Sequence, residues 1–451
     1  MIIGLDCAEP SLVLERWRGE LPTLSALMER GRYGRLRSVV PPITVPAWSC
    51  MMASRTPGDL GVYGFRNRAD HSYDNLVVAD GSAIHAPRLW DLATRYGKPS
   101  IVVGVPGTYP PRPLNGVMVS CFLTPSRESG FTYPPLLARE VEQVVGEYLF
   151  DCTNFRTDDK DDLLRQVYEM TDKRFRLAEH LLETKPWELF AMVEIGLDRM
   201  HHAFWKEGQD AILEYLRHLD SLVARLLEHA DDETAVLVVS DHGAKRLEGG
   251  IRINEWLRRE GLLRIAREPD GVSALREVGV DWSRTTAWGE GGYYSRVFLN
   301  VRGREPEGTV APEDFERVRD ELAERLAAIP GPDGEPLATR VYKPEEIYEE
   351  VNGIAPDLLV YFDDLAWRAV GTIGGEDGVH TFENDTGPDD ANHAQDGLLI
   401  MAGPGIEPGQ AETMMSLLDV APTVLELLGL EPLPSMRGTS LLRGAELSTP
   451  R

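Results

Sequence analysis

Short apolar runs that end on an acid or a histidine recur along this chain. Ile2-Ile3-Gly4-Leu5 stops at Asp6, and residues 189–195 (Leu-Phe-Ala-Met-Val-Glu-Ile) lead into Gly196, Leu197 and Asp198. The run Ala235-Val236-Leu237-Val238-Val239 leads into Ser240, Asp241, His242 and Gly243. Continuous β-branched and apolar runs without alternation predict strands buried on both faces, as in the middle of a parallel sheet. Further strands are expected at 100–105, 296–301, 356–361 and 398–401.

Helical spacing of apolar positions predicts a helix over about 161–183, carried by Leu164, Val167, Tyr168, Phe175, Leu181 and Leu182 and stopped by Pro186. A second runs over 22–30, with Pro22 at its start and Gly31 just past its end. Others fall near 91–95, 315–329 and 419–429. In the stretch 39–54 the prolines forbid helix up to Thr44, and Pro46 suits the first turn of a helix reaching about Ser54. Thr44 then lies at or next to the N-cap. Residues 106–135, rich in Pro and Gly, predict long loops.

Strands alternating with helices give an α/β fold with a mostly parallel central sheet flanked by helices. Between about 250 and 350 the pattern breaks into short apolar runs, many charges and turn signals. That texture predicts a smaller α+β cap, inserted at 251–350 into a core made of 1–250 and 351–451.

Composition narrows the partners. The 451 residues hold 73 acidic against 47 basic side chains, a formal charge of −26. Nucleic-acid polymers and anionic membranes are held by Lys and Arg, so neither is expected as a partner. A small phosphorylated substrate stays open, because a bound metal inverts the local field. Cys7, Cys50, Cys121 and Cys152 show no paired spacing, and the N-terminal residues show no basic-then-apolar leader. A reduced, cytoplasmic protein is expected.

The chemistry-bearing residues cluster at the predicted strand ends, where open α/β sheets bind ligands. Asp6, Asp198 and Asp241 follow three separate strands, and Asp198 and His202 share a helix face through their four-residue spacing. His242 adjoins Asp241, and His393 precedes the 398–401 strand, with His380 in the same stretch as a competitor. Each residue also has a plainer role: Asp241 as a loop cap, His242 as a surface hydrogen-bonding group, Thr44 as a helix cap. Together, carboxylates and imidazoles of this kind suit divalent metals. One ion would take Asp6, Asp241, His242 and the Thr44 oxygen. A second would take Asp198, His202 and His393, leaving a position open for substrate. Two such ions clamp the attacking and leaving oxygens of a phosphoryl transfer and activate the Thr44 hydroxyl.

Gly-Leu-Asp at 4–6, Thr-Val-Pro-Ala-Trp at 44–48, Asp-x-x-x-His at 198–202, Ser-Asp-His-Gly at 240–243 and His-x-x-Asp-Gly at 393–397 stand in one order. In that order the chain resembles the alkaline phosphatase superfamily, and most closely its nucleotide pyrophosphatase/phosphodiesterase branch. Residues 243–257, with Gly-Ala-Lys-Arg and Ile-Asn-Glu-Trp-Leu, resemble the cytoplasmic group of predicted phosphohydrolases or phosphomutases. The resemblance implies an alkaline-phosphatase-like core, a phosphothreonine intermediate on Thr44, and two ions, usually zinc and sometimes manganese. It also implies a small phosphorylated substrate, such as a nucleotide. Asn67 resembles the asparagine that donates to a phosphate oxygen; otherwise it is a turn residue. Lys245 is placed to contact an anionic substrate or to stay solvated.

Alkaline phosphatases proper follow their serine with an arginine that holds a monoester's extra charge. Here Val45 and Pro46 follow Thr44, which favours diesters. The expected function is therefore a two-metal phosphodiesterase or nucleotide pyrophosphatase. A phosphomonoesterase or phosphomutase on the same scaffold is the alternative, and a ligand-binding protein without catalysis is a second.

Overall fold

The chain is described here from a computed structural model, over residues 1–375 and 378–442. It divides into two compact units. The first comprises Met1–Leu60, Ala79–Ala244 and the chain from His393 on; the second comprises Gly61–Val78 and Lys245–Asn392. The insertion is thus larger than the 251–350 read from the hydrophobic pattern, and it includes a segment just past the Thr44 helix. Leu358–Tyr361 looks like a core strand in sequence, because it is apolar, but it pairs with Ser295–Leu299 and Arg340–Tyr342 in the second unit. The last nine residues of the expected 351–451 segment fall outside the described residues.

The first unit is built on a ten-stranded sheet. Ile2–Leu5 lies between Leu189–Glu194 and Val236–Val239, parallel to both. Ser100–Val103 extends the parallel set beside Leu189–Glu194. Asp396–Ala402 pairs antiparallel with Val236–Val239 and with Arg32–Arg37. Alternate residues of each central strand serve opposite faces. Ile3, Leu5, Phe190, Met192, Val236 and Val238 join one apolar layer. Ile2, Leu189, Ala191, Val193, Leu237 and Val239 join the other. Helices cover both layers, so the three strands that end in acids are buried on both faces.

The expected helices form as Pro22–Arg30, Leu89–Arg95, Lys160–Thr184, Phe315–Ala327 and Val420–Leu427. The long-loop expectation for 106–135 is corrected in part. Gly116–Val119 is a sheet strand beside Ser100–Val103, and Thr132–Tyr133 pairs antiparallel with it. Only three apolar residues mark that strand, and flanking turn residues hide it.

In the second unit, Ala287–Glu290, Ser295–Leu299, Leu358–Tyr361 and Arg340–Tyr342 form an antiparallel sheet, and Gly249–Arg252 pairs with Trp367–Val370 and His380–Thr381. Asn254 fastens these sheets: its amide donates to the Gly289 and Gly371 carbonyls and accepts from the Gly289 amide. Among the described residues, no helix is long and apolar enough to cross a membrane.

One buried ion pair ties the longest helix to the sheet. Glu194, fully buried at the end of its strand, accepts from Arg174 Nη1 at 3.1 Å and from the Gly196 amide at 2.8 Å. Arg174 also donates to the Leu149 and Phe150 carbonyls. Removing one partner of such a pair leaves an uncompensated buried charge, which costs about 3–5 kcal/mol. Arg174→Met should therefore destabilise the first unit by that amount in denaturant unfolding, and adding Glu194→Gln should recover much of it. A loss below about 1 kcal/mol for Arg174→Met would show that the pair carries little of the unit's stability.

Candidate functional site

Seven of the nine residues singled out from the sequence meet at one edge of the first unit's sheet. Asp6 directly follows Ile2–Leu5. Asp241 and His242 follow Val236–Val239. Asp198 and His202 lie on the helix Gly196–Phe204, which starts two residues past Leu189–Glu194. His393 lies on the short strand Ala391–Ala394. Thr44 is the first residue of the helix Thr44–Ala53, next to the N-cap Ile43, which is extended. All seven are buried, none more than 3% exposed.

The contacts are close. Asp6, Asp241 and His242 offer ligand atoms all within 4.8 Å of one another, and so do Asp198, His242 and His393. His242 belongs to both groups, where the sequence assigned it to one. His202 joins the second group through Nε2, 3.4 Å from Asp198 Oδ1, and His393 Nε2 lies 3.7 Å from the same oxygen. Thr44 Oγ1 is 3.3 Å from His242 Nε2. The His242 and His393 rings stack with centroids 3.8 Å apart.

Each aspartate is half used. Asp6 Oδ2 accepts from the Trp48 indole at 2.7 Å, Asp241 Oδ1 accepts from the Cys7 amide at 3.3 Å, and Asp198 Oδ2 accepts from Arg199 Nη1. That leaves Asp6 Oδ1, Asp241 Oδ2 and Asp198 Oδ1 buried without a hydrogen bond. Two of the histidines are oriented through their other ring nitrogen. His242 Nδ1 faces the Gly243 carbonyl at 3.1 Å and His393 Nδ1 faces the Pro42 carbonyl at 2.8 Å. A carbonyl accepts only, so each Nδ1 carries the proton and each Nε2 turns a lone pair toward the acids.

Burial and mutual repulsion make the arrangement costly. Desolvation first, then the Asp198 charge, holds Asp6 well above the usual carboxylate range; desolvation and then Asp6 do the same to Asp241. Burial opposes ionisation of Asp198 too, but His202 and Arg199 draw it well below that range. Burial pulls His242 down to about 4, and burial with the neighbouring His242 pulls His393 well down. Unprotonated nitrogens and bare carboxylate oxygens facing one another are donors to a cation. The residues fit divalent metal ions.

Two expectations fare differently. Asn67 lies in the second unit and closes a turn: its Oδ1 accepts from the Tyr63 amide at 2.8 Å and its Nδ2 donates to the Gly64 carbonyl at 3.0 Å. Its amide is spent as the turn residue considered above. Lys245, also in the second unit and part-exposed, donates to the Asp364 backbone carbonyl and side chain at 2.6 and 3.2 Å. His380 lies in that unit as well, bonded to the Pro330 carbonyl at 2.8 Å, and the geometry brings His393 rather than His380 to the acids.

The model of one protein family, "Type I phosphodiesterase / nucleotide pyrophosphatase", matches residues 1–389. The chain belongs to that family. It is an enzyme, a hydrolase of the alkaline phosphatase superfamily. The family match stops short of His393, which the fold returns to the cluster. Among solved structures the chain is similar to murine ectonucleotide pyrophosphatase/phosphodiesterase 5, with TM-score 0.57, 15% identity, and 96% of this chain and 95% of that one covered. The human protein of the same name gives TM-score 0.56 and 13% identity, covering 97% and 96%. An inactive Thr→Ala variant of the murine protein, solved with AMP, gives 0.55 and 14%, covering 96% and 95%. At these identities the likeness shows the fold. No curated protein sequence matches the chain.

Some residues that hold the ligands have a role that only the fold makes visible. Ser240 accepts from the Ala8 amide at 2.8 Å and donates to the His242 carbonyl at 2.6 Å. Glu9 accepts from the Ala244 amide at 3.1 Å. A Cβ at Gly243 would stand 2.3 Å from Glu9 Oε2 and 2.5 Å from the Asp396 carbonyl, so only glycine passes between them. Trp48 and Arg199 stood in motifs without a role.

The repulsion gives a direct test. Without metal, Asp241→Asn removes one of three crowded carboxylates and should raise the melting temperature of chelator-treated protein. With excess zinc or manganese the order should reverse, because wild type gains stability by mass action and the variant loses a ligand. A variant that melts below wild type in chelator and gains as much from metal would remove Asp241 from the cluster's charge balance.

Proposed function

We propose that this enzyme hydrolyses a phosphodiester or nucleotide pyrophosphate bond, with Thr44 as nucleophile and two divalent ions, zinc foremost and manganese second. The observation that carries the reading is the set of three buried aspartates, each with one oxygen held by a protein donor and the other turned toward imidazole: Asp6 and Asp241 toward His242, Asp198 toward His202 and His393. Asp6, Asp241, His242 and Thr44 would hold one ion, and Asp198, His202 and His393 the other, with His242 between them. When bound, the ions neutralise the phosphate, lower the pKa of the Thr44 hydroxyl and stabilise the leaving oxygen.

The chain's own part is positioning. Thr44 opens a ten-residue helix, so its amide and that of Val45 are the donors an α-helix leaves unpaired at its start. They and the helix dipole favour an anion at the place where the hydroxyl stands. Thr44 Oγ1 attacks phosphorus, the bond to the leaving oxygen breaks, and an alcohol or nucleotide departs from a phosphothreonine. Water then cleaves the phosphothreonine and restores the hydroxyl. A nucleotide substrate is supported by the AMP bound to the similar murine protein. Four buried cysteines without a disulfide suit a reducing, cytoplasmic setting.

Thr44→Ala should abolish turnover with fold and most metal retained, since that ion keeps three other ligands. His393→Ala should lose one metal equivalent and most activity, and His380→Ala should keep both. Activity of Thr44→Ala within tenfold of wild type removes Thr44 as nucleophile, and the opposite histidine pattern in metal analysis removes His393.

Substrate charge follows from which cations are already engaged. A monoester's transition state spreads charge over three non-bridging oxygens, while a diester masks one of them. Arg199, which touches the cluster, already serves Asp198 and Asp151, and Val45-Pro46 stand where the monoesterases place an arginine. One missing charge-assisted contact costs about 2–4 kcal/mol, so kcat/KM for a nitrophenyl diester should exceed that for the matching monoester by more than roughly tenfold. A faster monoester at saturating metal would turn the reading to a phosphatase or mutase.

A further inference from the structure

Of the three donors that occupy the aspartates' outer oxygens, two are neutral, the Trp48 indole and the Cys7 amide. The third is a guanidinium. Arg199 follows Asp198 on the same helix and donates from Nη1 to Asp198 Oδ2. Its other two nitrogens grip Asp151 in a fork, Nε to Oδ1 at 2.8 Å and Nη2 to Oδ2 at 2.6 Å. The guanidinium carbon lies 4.1 Å from the centre of the Phe155 ring, which in turn lies 5.8 Å from the His202 ring. Arg199 is 6% exposed.

A charged, planar group held on three sides has one orientation, and a forked carboxylate contact fixes it more firmly than a single bond. The carboxylate it touches is fixed with it. Asp198 therefore presents Oδ1 alone to His202 and His393, with Oδ2 occupied. The segment that supplies Asp151 is itself pinned, because Arg174 donates to the carbonyls of Leu149 and Phe150 immediately before it. Charge is balanced as well: Asp151 offsets Arg199, so the pair orders Asp198 without adding net positive charge to the cluster.

We propose that Arg199 and Asp151 form a positioning couple, which fixes Asp198 as a one-oxygen ligand and sets the affinity of the ion shared with His202 and His393. The inference rests on the two-ion reading. Groups that orient a metal ligand typically change affinity or activity by about 10–100-fold when removed. Arg199→Met, which keeps the apolar stem, should weaken one of the two metal equivalents by that factor in chelator competition and leave the other unchanged. Asp151→Asn, which keeps shape but loses charge, should weaken the same equivalent by less. The double variant should be no weaker than Arg199→Met, because contacting residues act as a unit. Arg199→Lys, which cannot fork, should recover only part of the loss.

The measurement is zinc or manganese titration against a competing chelator on the full chain, alongside kcat and KM. Wild-type affinity for both equivalents in Arg199→Met and Asp151→Asn, or losses that simply add, overturns the couple. If Arg199→Met does not fold, Asp151→Asn decides alone: unchanged affinity overturns the proposal, and a selective loss at one equivalent supports it. Wild type binding fewer than two equivalents instead overturns the two-ion reading, whatever the variants do.

Discussion

Three carboxylates buried within reach of one another are the constraint on which the first unit depends. Isolated buried charges are strongly disfavoured, and like charges side by side are worse. The sheet nonetheless delivers Asp6, Asp198 and Asp241 beyond the ends of three adjacent parallel strands. Those strands are apolar on both faces and packed between two hydrophobic layers. Burial of the strands stabilises the unit, and the same burial forces the acids together at the strand tips. The fold thus concentrates its electrostatic cost at one edge, where a bound cation can relieve it.

That cost shapes everything around it. Each aspartate has one oxygen satisfied by a donor from a different source, a side chain of the Thr44 helix, a backbone amide, or a neighbouring guanidinium. Each satisfied oxygen orients its partner oxygen inward. The imidazoles follow the same logic through the carbonyls of Gly243 and Pro42. A site organised this way is rigid before any ion arrives, so binding pays little for ordering side chains. The ionic network behind it, from Glu194 and Arg174 to Asp151 and Arg199, carries that rigidity from the longest helix to Asp198.

Much of the architecture was legible because hydrophobic period is a direct consequence of burial. The strands ending at Asp6, Asp198 and Asp241 are uniform apolar runs, which both faces of a central strand require. Lys160–Thr184 kept helical spacing through twenty-five residues. Gly116–Val119 was hidden because three apolar residues between turn signals do not establish a period. The extent of the second unit was hidden for another reason. Gly61–Val78 has no composition of its own, and it belongs there through contacts such as Arg68 with Glu305 and Tyr73 stacked on Trp282. Long-range pairings of that kind leave no local mark.

The site divides along a similar line. Ligand candidates are conspicuous because Asp and His at the end of an apolar strand oppose the local hydrophobic trend, and only chemistry or capping explains them. The groups that hold the ligands are not conspicuous. Cys7 acts through its amide, and Pro42 and Gly243 act through their carbonyls; any residue type supplies those atoms. Asn67 and Lys245 show the converse. Their side-chain types suit a phosphate, but in the fold they are engaged in a turn and in an ion pair within the second unit. A residue's type states which bonds it is able to form, and only the fold states which of them are already made. Gly243 joins the two cases: it stands in a sequence motif, and its necessity is steric, set by Glu9 and the Asp396 carbonyl on either side.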